Sequence, residues 1–144
     1  MRLVLEVEGH GEGSATELPG DGAALIAFMS FAVVRGFGAM HPLVALADRL
    51  AEHHRVKLGP LTTFYERTPD DTEDLEKLEM AWQDPVPLRD ALGALDAALA
   101  RDPEAHAYLE RAGAVDLPVQ AEALRIHVDA AAAAGRRVRL VYDL

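Results

Sequence analysis

No cysteine occurs among the 144 residues. That excludes disulfide staples, thiolate nucleophiles and cysteine-ligated zinc or iron–sulfur centres. Asparagine is absent as well, and Lys57 and Lys77 are the only lysines. Hyperthermophile proteins tend to be rich in lysine. With arginine far outnumbering lysine, the bias points to a GC-rich genome rather than to heat tolerance. Ser14 and Ser30 are the only serines, and neither sits in the Gly-x-Ser-x-Gly turn of a serine nucleophile. The longest apolar run, 23–34, is interrupted by Ser30 and falls short of the ~20 residues of a membrane span. The opening Met-Arg-Leu-Val-Leu-Glu lacks the charged-then-apolar pattern of a secretory signal, so a cytoplasmic location is expected. Positive charge is scarce: 14 basic against 24 acidic residues leave a net charge of −10. Duplex nucleic acid and anionic membranes favour cationic faces, so neither is an expected partner. A basic protein partner fits.

Half of the residues are hydrophobic and about a quarter are charged. This is the balance of a soluble globular protein, and the length suits a single domain over 1–144 with a core that needs no staple. The two ends read as complementary β-strands. Set antiparallel with residue numbers summing to 145, Leu3, Leu5 and Val7 meet Tyr142, Leu140 and Val138 on one face. On the other, Arg2 meets Asp143, Val4 meets Val141, Glu6 meets Arg139 and Glu8 meets Arg137. Opposite charges placed directly across a strand pair favour that register.

Between the ends the chain is punctuated by prolines, which suit the first turn of a helix. Pro42, Pro69, Pro85 or Pro87, Pro103 and Pro118 mark five starts, with Asp84, Asp102 and the Thr68/Asp71 pair as caps. Asp21 is expected to cap one further helix, about 22–35, which is apolar nearly all round and so belongs in a core or a subunit interface. Helical stripes appear at Leu43/Leu46/Leu50, Leu75/Leu78/Trp82 and Leu88/Leu92/Leu95/Leu99, and as Val119/Leu124/Ile126 on the last helix. Arg55-Val56-Lys57-Leu58 alternates as a short strand, expected on the free side of the amino-terminal strand. The order is β-α-α-β-α-α-α-α-β: an α+β fold with a small, mostly antiparallel sheet against about six helices.

Four features bear on chemistry. Gly9-x-Gly11-x-Gly13 follows a strand, but the dinucleotide and Walker fingerprints differ in spacing and the latter needs a lysine. Segment 9–22 therefore reads as a loop, with a short edge strand over 14–18. His41, Asp48 and Glu52 fall on one line of the helix 42–53 and are metal-ligand or acid–base residue types. Opposite the leucine stripe, they also read as its solvated face, and His53-His54 as a cation at its end. Asp70, Asp71, Glu73 and Asp74 open an acidic helix and exceed what capping needs. They are the candidate surface for a basic partner. Phe64 and Tyr65 form an aromatic pair that walls a pocket or, more simply, packs a satellite core.

No cofactor is implied. The first functional expectation is a non-enzymatic interaction or regulatory protein, self-associating as a homodimer through 22–35. The alternatives are a small metal-dependent or acid–base enzyme using His41, Asp48 and Glu52, and an acidic inhibitor of a basic partner, as immunity proteins and antitoxins are.

Overall fold

A computed structural model of the chain describes residues 1–10, 16–34 and 41–144. Gly11, Gly13 and Ser14, on which parts of the loop reading rest, lie outside the described residues; Thr16–Leu18, the remainder of the expected edge strand, is not in a strand. The elements are β1 (Arg2–Val7), α1 (Ala23–Val33), α2 (Pro42–Glu52), β2 (Phe64–Glu66), α3 (Thr72–Glu79), α4 (Pro85–Arg101), α5 (Pro103–Ala112), α6 (Leu117–Ala133) and β3 (Val138–Asp143). The α+β order expected from the sequence is the order found.

β1 and β3 pair antiparallel in the expected register, from Arg2 opposite Asp143 to Val7 opposite Val138. Magnitudes show what sets it. A one-residue slip would turn the buried Leu3, Leu5 and Leu140 to the wrong face, at roughly 2 kcal/mol or more for each side chain. A two-residue slip keeps the faces, and there the charges discriminate. It would set Val4 against Arg139 and Arg2 against Val141, losing ion pairs worth up to ~1 kcal/mol each at the surface.

The sheet departs from expectation in its third strand. β2 lies at 64–66 and runs parallel to β3, giving the order β1-β3-β2, so the sheet is mixed rather than mostly antiparallel. The carboxy-terminal strand is central. Segment 55–58 is not a strand, because Arg55 has φ +56°, which breaks extended backbone. Its alternation is real, with Val56 and Leu58 buried, but the burial is against the helical core. Phe64 and Tyr65 show the period of two that β2 needs. Phe64 packs with Tyr142, ring centroids 6.1 Å apart, beside the main core, and Tyr65 turns to the opposite face against Val4, Leu78 and Val141.

The charged face of the sheet is not open: Val4 and Val141 are fully buried, covered by Leu78 of α3. The main core lies on the other face, where α1 packs against β1, α2 and α6. Leu25, Ile26, Phe28 and Met29 are buried there, so a single copy accounts for most of the apolar surface of α1, with Val33 and Val34 left exposed at its end.

The start of α1 also differs. Asp21 has φ +58° and does not cap; the cap position is Gly22, at φ +69°. A side chain on Gly22 would meet Leu3 Cβ at 2.9 Å, so only glycine suits both the left-handed turn and this close approach. The amide of Leu25 instead donates to Gln120 Oε1 of α6, at 3.0 Å and buried. On α6 the buried stripe is Leu117, Ala121, Leu124, Val128 and Ala131, and Val119 and Ile126 are exposed. The expected stripe mixed the two faces. α3 begins at Thr72 rather than at Pro69, capped by Asp71 alone.

Candidate functional site

α3 is a helix because its ends are chemically closed. The Asp71 carboxylate accepts from the amide of Glu73 (2.7 Å), Glu73 and Asp74 place negative charge in the first turn, and Lys77 lies in the last. One buried residue, Leu78, anchors it on the sheet. The second anchor is Arg139 of β3. Its guanidinium lies over the Trp82 ring at 4.2 Å, its Nη1 donates to the carbonyl of Leu78 at 2.9 Å, and its Nε donates to Glu6 at 2.8 Å. The outer-face ion pair of the strand register thus also fastens the end of α3.

The remainder of α3 faces out. Leu75 is 47 % exposed and Met80 85 % exposed. With Thr72, Glu76 and Glu79 they border a shallow depression of about 430 Å³. Residues 70–79 hold six carboxylates against Lys77, a net of −5 within a chain of −10. Glu73 and Asp74 lie 3.6 and 3.5 Å from Lys77 and hold its ammonium above the ordinary lysine value. The arrangement is an apolar strip edged by fixed negative charge, able to take up an apolar side chain carried between cations.

The other sequence candidates sit elsewhere. His41 is the cap of α2: its Nδ1 accepts from the amide of Leu43 (3.1 Å), and its ring stacks on Phe31 with centroids 3.8 Å apart. Asp48 and Glu52 follow along α2. Among the described residues no three His, Asp or Glu side chains come together as a metal-holding group. Ser30 Oγ donates to the carbonyl of Ile26 at 2.8 Å, a bond within its own helix.

Two ionic junctions were not legible in the sequence. Asp102 caps α5, accepting from the amides of Glu104 and Ala105. It also accepts from Arg49 Nε (2.5 Å) and His54 Nε2 (2.6 Å), tying α2 to α5. These bonds, Arg49 first, hold its carboxyl well below the usual carboxylate range. Asp96, between α4 and α6, is the opposite case. Both its oxygens are buried without a hydrogen bond, Arg125 Nε stands 3.4 Å away, and burial raises its pKa.

A cleft of about 400 Å³ gathers His10, Glu17, His127 and Arg136 from separate parts of the chain. No helix among the described residues is long and apolar enough to cross a membrane. No protein-family model matches the chain, and no curated protein or solved structure was found to match it.

Proposed function

We propose that the protein is a non-enzymatic interaction module whose docking element is α3, and that its partner is a basic protein. The observation that supports this reading most is the placement of Leu75 and Met80. Leu75 is solvent-exposed on α3 and Met80 on the residue that ends it, and the neighbouring charges are almost all negative. A docking helix needs an apolar centre inside a charged rim, and here the two apolar side chains border one depression edged by Glu76 and Glu79. The partner presents an apolar residue flanked by lysine or arginine. The negative field of the whole chain would speed the encounter and make it sensitive to salt.

The test is affinity capture from the native host with three baits: the natural protein, Asp70→Lys/Asp74→Lys and Leu75→Asp. The altered side chains are exposed, so circular dichroism should show all three baits folded. The reading expects one dominant basic protein on the natural bait, absent from both variants and released by moderate salt. Capture of the same proteins by all three baits, or of a dominant acidic partner, counts against it.

A further inference from the structure

A second surface, independent of α3, holds positive charge in this acidic chain. Among the described residues, eleven of the thirteen arginines and lysines reach a carboxylate or a carbonyl oxygen. The exceptions are Arg55 and Lys57, which have no such partner and line the same cleft, of about 410 Å³. Pro60, Pro87, Ala91 and Ala94 give it an apolar lining, and Asp90 borders it on the α4 side.

The backbone that carries the two cations is held in place. Val56 and Leu58 are buried on either side of Lys57, so the alternation turns Arg55 and Lys57 outward. The amide of Val56 donates to the carbonyl of Leu50 at 2.9 Å, which pins the turn after α2. Pro60 is held by Gln83 Nε2 on its carbonyl, at 3.2 Å. Arg55 itself has φ +56°, a region that glycine enters freely and arginine does not. Backbone held in such a region, with its side chain at a cleft, is a recognised mark of a functional position.

We infer that the cleft between segment 55–60 and the first half of α4 binds a small organic anion, a carboxylate or phosphate ester on an apolar body, through Arg55 and Lys57. The head group takes a charge-assisted hydrogen bond from Arg55 and the ammonium of Lys57, while the body lies on Pro60, Pro87 and the two alanines. Asp90, already in contact with Arg89 at 3.3 Å, opposes excess negative charge, so the site favours a single anionic group over a polyanion.

The experiment is an NMR titration of the isotope-labelled full chain with benzoate, phenyl phosphate and neutral benzamide, reading the amides of 55–60 and 87–94. Saturable shifts at both segments with an anionic probe, at a Kd of ~1 mM, and none with benzamide, are expected. The tighter of benzoate and phenyl phosphate assigns the head group. Arg55→Gly should weaken binding about tenfold while raising Tm, because glycine relieves the turn, and Asp90→Asn should tighten it. No saturation with either anion by ~10 mM, equal shifts with benzamide, or unchanged affinity in Arg55→Gly overturns the proposal.

Discussion

Two buried carboxylates show how a single residue's surroundings decide its worth. Asp102 is fully hydrogen-bonded and its folded pKa is depressed. Its stabilising contribution is therefore complete above the unfolded carboxyl value of about 4 and lost as pH falls towards the depressed folded value. Asp102→Asn should cost about 2–4 kcal/mol at neutral pH, because it leaves Arg49 and His54 without their shared acceptor. In melts against pH, the gap to the natural protein should narrow below about pH 4. Asp96 has the opposite sign. Its folded pKa is raised by burial, so the charged form is a liability above that pKa, relieved as pH falls and the carboxyl takes up a proton. Asp96→Asn should raise Tm at neutral pH, and the gain should vanish on acidification. The capping role of Asp102 was legible from its place before Pro103, since a cap acts over two or three residues. Its bonds to Arg49 and His54, and the role of Gln120 at the start of α1, span 48 to 95 positions, and no local pattern announces them.

At the scale of elements, local signals were reliable where one physical need dominated. Leu43, Leu46 and Leu50, and the α4 leucines from Leu88 to Leu99, are buried as their spacing predicts. Where two needs overlapped, the local pattern pointed to the wrong element. Arg55–Leu58 alternates because Val56 and Leu58 fill the helical core, while Phe64–Glu66 has only three residues in which to signal a strand. The stripe drawn through Leu75, Leu78 and Trp82 assumed that α3 buries one full face, whereas Leu78 alone does so and Leu75 is left outside. The hold on α3 is correspondingly narrow and rests largely on Arg139. Arg139→Met should keep the sheet, because the buried Val4/Val141 pair remains, but should loosen α3. Hydrogen exchange should then show protection lost over residues 75–80 by about tenfold or more, with little change in α4 or α6. Equal loss throughout the chain would place Arg139 in global stability instead.

For the whole molecule, the terminal strand register was the most legible long-range feature, because opposite charges and matched faces agree on one alignment at a separation of more than 130 residues. Its consequence was not legible. The pair forms the middle and one edge of a three-stranded sheet clad on both faces, and the cladding of the outer face is the acidic helix itself. The uneven charge of the chain follows from this arrangement, with half of the net −10 concentrated between residues 70 and 79. The most direct test of α3 as a docking element is NMR shift mapping of the isotope-labelled protein with a short helical peptide that carries one leucine between flanking lysines. The account predicts that the largest shifts fall on residues 72–80, saturate, and disappear in Leu75→Asp while Glu104→Gln, outside α3, leaves them intact. Shifts spread evenly over all exposed carboxylates, or unaffected by Leu75→Asp, would reduce α3 to a solvated acidic helix and contradict it.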